Sequence, residues 1–367
     1  MDIRIFFYIV IILLGFLLGN GNDASGNKRK WYIIMIISLL ILESCLRSLS
    51  VGPDTRTYYY VFYNMKFVSW HEILSSFGET YIEGEGRDPG YMVYMKLIQI
   101  ISTNFNVFLF FSALFFFIPL GIILYRYSTH MLQLVFAFIL YIALFNIVAL
   151  SGIRQQIATG FAFMALLQLD KNKYLKSIVL IGIGAFIHIS AVIFLAIVII
   201  RFFFRNSSKK LHLLSFAVIP LGIVFAGPIM LYLASFLAND YYSVYGAKES
   251  SGGGVVYVFL METLSLFCYI SIKKERLEND NNVSLLYPML PLLTATVPLI
   301  TLDGSMIRIG QYFTLYMMLL VPYAIDAFAK SLSNRKSLYF VMIAFLLVLS
   351  FSDGFNYHFF WQEVPGF

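Results

Sequence analysis

The sequence predicts an all-α membrane protein, a polytopic transmembrane helical bundle of about 12 spans (roughly 10–14). Of the 367 residues, 60% are hydrophobic and only 13% are charged, and the mean hydropathy is +0.80. Apolar runs such as 31–50 and 309–329 approach the ~20 residues that a helix needs to cross the hydrocarbon core. Inside lipid the backbone must satisfy its own hydrogen bonds within one segment, which favours helices over barrel strands.

The apolar runs also predict how the chain is divided. Residues 90–102 form a short run that we predict to be an interfacial or re-entrant helix. The first run is predicted to be an uncleaved span, because its basic residues, Lys28–Lys30, follow it. Residues 1–367 are treated as a single integral membrane domain with extracytoplasmic loops at 51–89 and 238–254. The predicted spans are 3–19, 31–50, 105–125, 132–150, 152–169, 177–189, 190–204, 211–237, 255–272, 284–301, 308–328 and 337–352.

The distribution of basic residues predicts which side of the membrane each loop faces. Loops on one side carry all but nine of the 26 Lys and Arg residues, and such an excess marks the cytoplasmic side. Both termini are therefore predicted to face outward. Short basic loops account for the net charge of +6, so no nucleic-acid partner is indicated. The nine outer residues are Arg4, Arg47, Arg56, Lys66, Arg87, Lys96, Arg154, Lys248 and Arg308.

The longer outer loop begins with charged residues directly after the second predicted span. Gly52 and Pro53 predict a turn, and Asp54 and Arg56 follow it. A carboxylate can accept a proton, and a guanidinium can bind phosphate oxygens. The alternative interpretation is that these charges only keep the loop soluble.

A second candidate segment lies at the start of a predicted span, where Arg154 is followed by Gln155. An arginine at a helix N-terminus adds positive charge where the macrodipole is already positive. That placement is favourable when an anion binds there, and the planar guanidinium matches phosphate oxygens. The alternative is that Arg154 only extends to the membrane interface.

A lone histidine, His188, stands among apolar residues near the predicted outer boundary, where two short spans meet. A neutral imidazole can take a proton from a hydroxyl group. The alternative is a histidine that is merely hydrogen-bonded within a packed bundle.

A second arginine, Arg308, opens a later span. Arg308, Gln311 and Tyr312 are spaced i, i+3 and i+4, which places them on one helix face. An ionisable group inside a membrane segment is a functional candidate by default. The alternative is a structural ion pair between Asp303 and Arg308.

The second predicted span carries an acid and a base near its outer end. Glu43 and Arg47 are spaced i, i+4, and this spacing predicts an ion pair between them.

Four short segments between about residues 50 and 195 resemble, in order and spacing, the EpsG-like family of Wzy-type O-antigen and polysaccharide polymerases. A fifth segment, Arg308–Tyr312, suits a later region of that family. The resemblance carries no information on which sugars are used. The four segments are Gly52-Pro53-Asp54-Thr55 with Tyr58, Asp88-Pro89-Gly90-Tyr91, Gly152-Ile153-Arg154-Gln155-Gln156, and Phe186-Ile187-His188-Ile189-Ser190.

The resemblance implies a membrane glycosyltransferase of polysaccharide biosynthesis, such as that of lipopolysaccharide O-antigen, at the periplasmic face of the inner membrane. It would transfer a growing glycan from undecaprenyl pyrophosphate to a hydroxyl of another lipid-linked repeat unit, without metal or cofactor. Either His188 or Asp54 would deprotonate that hydroxyl. Expected partners are the lipid-linked oligosaccharide, the bilayer and a chain-length regulator protein. The implied substrate contacts are Arg154, Arg308 and Arg56 at the pyrophosphate, and Gln155, Gln311 and Tyr312 elsewhere.

Two other functions compete with the polymerase hypothesis. An O-antigen ligase would share the arginine chemistry and differ in transferring its glycan to the lipid A core. A transporter or flippase predicts internal repeats and polar groups at mid-membrane. The sequence shows no repeat between its halves, and its polar residues cluster near one predicted rim.

Overall fold

The computed structural model describes residues 2–19, 26–86, 88–203, 208–217, 254–301, 304–329, 331–350 and 356–362. Within these ranges the regular structure is helical and there is no β-strand. A single isolated β-bridge in the described chain pairs Arg47 with Phe359. The predicted all-α class is therefore confirmed for this part of the protein.

The described helices are, in chain order, α1 (Ile3–Leu18), α2 (Gly26–Leu46), α3 (Thr55–Asn64), α4 (Trp70–Gly78), α5 (Pro89–Ile101), α6 (Phe105–Tyr127), α7 (Met131–Leu144), α8 (Asn146–Ser151), α9 (Ile153–Asp170), α10 (Tyr174–Ile187), α11 (Leu195–Phe203), α12 (Val255–Ser271), α13 (Lys274–Asn279), α14 (Asn281–Leu286), α15 (Met289–Thr296), α16 (Ile307–Thr314), α17 (Met317–Phe328) and α18 (Leu332–Ser350). Residues 208–217 are also helical. A 3-10 helix at Ile189–Phe194 precedes α11 and is separated from α10 by His188, and a π-helical turn at Glu79–Glu83 continues α4.

Three helical stretches among the described residues are long and apolar enough to cross a bilayer: Phe105–Tyr127, Asn281–Thr301 and Ser333–Ser350. Shorter apolar helices of 10–17 residues accompany them, including α1, α7, α10, α12 and α17. These helices fit the predicted membrane protein, whereas the predicted number of about 12 spans is not confirmed. Most of the predicted span 211–237 and of the loop 238–254 lies outside the described residues.

Contacts between residues divide the chain into two compact units. The first unit comprises Met1–Ile73, Gly90–Ala191 and Ala329–Phe367, and the second comprises Leu74–Pro89 and Val192–Phe328. Three of the five segments that resemble the polymerase family therefore lie in the first unit, the segment Asp88–Tyr91 is divided between the two units, and Arg308–Tyr312 lies in the second.

Close helix packing in the first unit depends on two glycines. A Cβ atom at Gly160 of α9 would collide with the Phe115 carbonyl oxygen of α6. A Cβ at Gly184 of α10 would lie 3.3 Å from the Ala158 carbonyl oxygen of α9. Because neither glycine carries a side chain, the three helix backbones approach closely, and α9 is held between α6 and α10.

The segment 51–89, which the sequence analysis treats as a loop, is largely helical. In α3 the buried residues Thr55, Tyr58 and Phe62 form one face at helical spacing, and Tyr58 and Phe62 pack in a hydrophobic cluster with residues of α5 and α6. The start of α4 carries a reciprocal cap. The Ser69 amide donates to Glu72 Oε2 at 2.6 Å, and the Glu72 amide donates to Ser69 Oγ at 3.2 Å.

The second unit buries a chain of polar side chains. The ring nitrogens of His212 lie 3.0 Å from the Tyr287 hydroxyl and 2.8 Å from Ser265 Oγ, which in turn lies 2.7 Å from Thr294 Oγ1. His212, Ser265 and Thr294 are completely buried. This network ties the helical residues 208–217 to α12, to Tyr287 at the end of α14, and to α15.

Candidate functional site

The candidate site in the first unit centres on Arg154 and two tyrosines. The guanidinium carbon of Arg154 lies 5.8 Å from the centre of the Tyr58 ring and 5.7 Å from the centre of the Tyr91 ring. The two ring centres are 6.0 Å apart, with the rings edge to face at 74°. The two distances from the Arg154 guanidinium carbon to the ring centres are within the range of a favourable cation–π interaction. Three of the sequence segments thus meet at one guanidinium group.

Tyr58 reaches this position through the turn that precedes α3. Gly52 has φ +85°, a conformation that glycine adopts without steric cost. Thr55 Oγ1 donates to the Val51 carbonyl at 2.6 Å and closes the turn. A Cβ at Gly52 would lie 3.4 Å from Ser151 Oγ, so the turn packs against the residues just before Arg154.

Tyr91 is placed by the start of α5. A Cβ at Gly90 would lie only 2.5 Å from the Phe186 carbonyl oxygen, so only glycine permits this approach to the end of α10. Tyr91 is 4% exposed, and its hydroxyl has no hydrogen-bond partner among the described residues. A buried hydroxyl without a partner is costly, which indicates that this position is completed by a further group.

Arg154 stands on the first turn of α9. That helix begins at Ile153, and its N-cap residue Gly152 provides no side-chain cap for the first amide groups. Arg154 is half-buried and Gln155 is buried. The guanidinium therefore lies on aromatic faces of the protein at a helix N-terminus, where the macrodipole favours an anion.

His188 lies where α10 ends. Its backbone is extended (φ −156°, ψ 113°), and the 3-10 helix Ile189–Phe194 follows it. The predicted break between two short helices is thus present. Ile187, its neighbour, packs in the same hydrophobic cluster as Tyr58 and Tyr91. His188 itself is half-buried.

Asp54 and Arg56 lie on different sides of α3. Asp54 immediately precedes the helix, one turn before Tyr58, whose amide donates to the Asp54 carbonyl at 3.0 Å. Arg56 is exposed and stands two residues before Tyr58, about half a turn around the helix. Asp54 therefore lies one helical turn from Tyr58. The role of Arg56 at the pyrophosphate stays a prediction.

Arg308, Gln311 and Tyr312 belong to α16 in the second unit, and their predicted helical spacing is present. Gln311 and Tyr312 are buried, and Arg308 is half-buried. The predicted pairing of Arg308 with Asp303 falls on a residue outside the described ranges. The substrate contacts that the resemblance implies for Arg308, Gln311 and Tyr312 stay a prediction.

The comparison with known families agrees with this arrangement of segments. The model of the EpsG family matches residues 30–363, nearly the whole chain. The protein belongs to the EpsG family. Neither the curated proteins nor the solved structures include a match. As an EpsG-family protein, it is a membrane protein of the polysaccharide-polymerase type.

Arg47 of this EpsG-family protein is a buried arginine that the sequence does not identify as a candidate site residue, because its spacing predicts an ion pair with Glu43. That expectation is wrong. Glu43 Oε1 accepts a hydrogen bond from Asn146 Nδ2 at 2.9 Å, whereas Arg47 Nη1 donates to Ser44 at 2.9 Å. The physical reason is that α2 ends at Leu46, so Arg47 lies outside the helix that would align the pair.

Proposed function

We propose that this EpsG-family protein polymerises lipid-linked oligosaccharide repeat units at the outer face of the inner membrane. In the proposed reaction, the acceptor hydroxyl oxygen bonds to the anomeric carbon of the growing glycan. The bond from that carbon to the pyrophosphate oxygen breaks, and the electron pair leaves with undecaprenyl pyrophosphate. The hydroxyl proton passes to a base on the protein.

The observation that carries this proposal is the position of Arg154 against Tyr58 and Tyr91 at the start of α9. A departing pyrophosphate gains negative charge as the glycosidic bond breaks. Fixed donors that face this charge lower the barrier, since they need no reorganisation during the reaction. A guanidinium at a helix N-terminus combines charge, a planar pair of donors and the helix dipole.

The remaining roles follow from the same chemistry. His188 and Asp54 are the two candidate bases, and both belong to the unit that contains Arg154. Arg308, Gln311 and Tyr312 are proposed as further substrate contacts from α16, and Arg56 as a third pyrophosphate contact. Independence of metals and cofactors is part of the proposal and rests on the family resemblance.

The experiment is a glycan ladder from a strain that lacks this protein. Loss of long chains, with survival of lipid capped by a single repeat unit, is expected. Wild-type protein restores the ladder, and Arg154→Ala at equal protein level does not. Arg126→Ala is the matched control, because Arg126 is an exposed arginine of the same unit whose Nε donates to Asp170 at 2.6 Å.

Each alternative gives a different pattern. Wild-type chain lengths with Arg154→Ala would contradict the proposed role of that residue. Polymer that accumulates on its lipid carrier without reaching lipid A core would indicate a ligase. Repeat units trapped on the cytoplasmic face would indicate a flippase.

A further inference from the structure

Arg47 is a buried cation whose donors are mostly unused. Its side chain is 2% exposed. Nη1 donates to the carbonyl and the hydroxyl oxygen of Ser44, both at 2.9 Å. Nε and Nη2 are buried and have no hydrogen-bond partner in the part of the chain that the structure describes. An arginine cannot lose its charge in a protein, so leaving two of its donors unsatisfied in a dry environment is costly.

The nearest acid does not use these donors. Glu43 Oε1 accepts from Asn146, and Glu43 Oε2 has no partner among the described side chains. Tyr357 fixes the Glu43 backbone instead, with its hydroxyl 2.6 Å from the Glu43 carbonyl. Glu43 therefore offsets part of the positive charge of Arg47 without a hydrogen bond to it. The Nε and Nη2 groups of Arg47 stay available for a ligand.

Arg47 directly follows Leu46, which packs against the hydrophobic cluster that contains Tyr58 and Tyr91, the two rings that Arg154 contacts. Its guanidinium interacts electrostatically with Tyr58. The Tyr91 side chain interacts electrostatically with both Arg47 and Arg154. The Tyr91 hydroxyl is also without a hydrogen-bond partner among described groups. Unused donors of Arg47 and Tyr91 thus accompany Arg154 around the same two rings.

The C-terminal segment holds Arg47 in this position. The Ser48 amide donates to the His358 carbonyl at 2.8 Å, and the Phe360 amide donates to the Leu46 carbonyl at 2.9 Å. These bonds flank Arg47 on both sides and form its bridge with Phe359. A side chain that is fixed in advance loses little entropy when it binds a ligand.

We propose that Arg47 is a further guanidinium ligand of the diphosphate group that Arg154 binds, with the Tyr91 hydroxyl as an additional donor. The inference rests on the proposed function, because it assigns the anion to the pyrophosphate of the lipid-linked donor. Two planar guanidinium groups offer several N–H donors to phosphate oxygens. Binding would satisfy the donors that are unused in the protein alone.

The test measures pyrophosphate binding to the full chain in detergent. Inorganic pyrophosphate is expected to raise the apparent melting temperature in a titration, and sulfate controls for general salt effects. Arg47→Lys keeps the positive charge but loses the planar N–H donors of the guanidinium group, so the affinity of this variant for pyrophosphate is expected to fall about tenfold or more. Arg4→Lys is the matched control: Arg4 is also completely buried, but Asp2 accepts from its Nε and Nη2 at 2.9 and 2.7 Å. Its affinity is expected to equal that of the wild type.

Arg154→Ala separates this inference from the proposed function. Loss of pyrophosphate binding in Arg154→Ala with wild-type affinity in Arg47→Lys would overturn the role of Arg47 alone. Wild-type affinity in both would overturn the phosphate site of the proposed function as well. If Arg47→Lys does not fold, the double variant Glu43→Gln with Arg47→Gln leaves no buried charge, and wild-type affinity there would overturn the inference.

Discussion

In the first unit, Arg47 and Glu43 are buried with hydrogen-bonding atoms unused, whereas in the second unit His212 is buried with both ring nitrogens bonded. The partners of His212 are themselves satisfied, since Ser265 also bonds Thr294. Both clusters lie among helices and exclude water to a similar degree. They differ in whether the protein alone completes their hydrogen bonds.

This difference separates a structural network from a binding site. A fully satisfied buried network gains strength from the low local dielectric and specifies one packing of its helices. An incompletely satisfied one is destabilising by itself and persists where a ligand supplies the missing partners. The comparison therefore assigns stability to the His212 network and supports the proposal that Arg47 and Tyr91 bind a ligand.

The largest expected effect concerns the candidate base His188. His188→Ala is expected to lower kcat for glycan transfer by about 10²–10⁴-fold, the usual contribution of a general base, while the affinity for the donor changes little. Turnover of purified protein with lipid-linked donor measures both quantities. Asp54→Asn is the paired variant: an unchanged rate in His188→Ala with a large loss in Asp54→Asn would transfer the role of base to Asp54.

Arg154→Lys is expected to lower turnover by about 10²-fold, because the ammonium replaces a planar pair of donors at the leaving group by a single point charge. The ladder of glycan lengths and the rate of purified protein report this loss. The apparent melting temperature should stay close to that of the wild type. Wild-type ladders with Arg154→Lys would show that a positive charge alone is sufficient there.

His212→Ala is expected to act on stability instead. It leaves the Tyr287 hydroxyl without its buried partner, which costs about 1–3 kcal/mol, and removes one of the two hydrogen bonds of Ser265. Thermal and detergent-induced unfolding measure the loss, and pyrophosphate affinity is expected to be unchanged. A His212→Ala protein with wild-type stability and weakened pyrophosphate binding would reverse the comparison between the two clusters.

The sequence predicts the helices better than the contacts between them. Long apolar runs such as Phe105–Tyr127 determine their own conformation in lipid, and the break at His188 follows from two runs that are each too short to span. The helices within 51–89 are missed, because α3 shows its buried face only when Tyr58 and Phe62 meet their partners. The spacing of residues in the sequence predicts which of them share a helix face. It does not predict which residues from other helices pack against that face.

The candidate site shows the same division. Arg154 and His188 are predicted from local chemistry, and the structure places both in the unit with Tyr58 and Tyr91. Arg47 is missed for two reasons that no local pattern contains. Its helix ends one residue earlier than the i, i+4 rule requires, and its backbone pairs with Phe359 from the far end of the chain.

The smallest expected effect comes from a polar pair that is satisfied but exposed, Ser69 and Glu72. The backbone and side-chain hydrogen bonds from Ser69 lower the pKa of Glu72 from its ordinary value of 4.5.

A carboxyl whose pKa is lower in the folded state stabilises the fold above its unfolded pKa, and this contribution is lost as the pH falls through the folded pKa. Glu72→Gln should therefore match the wild type in stability once the pH has fallen below the pKa of Glu72 in the folded state, and be slightly less stable at pH 7. Melting curves at the two pH values measure the difference, which water and salt keep small because the pair is exposed. A pH-independent difference as large as that expected for His212→Ala would contradict this comparison. It would mean that the stabilisation from these polar groups depends on whether their hydrogen bonds are complete, and not on whether the groups are buried.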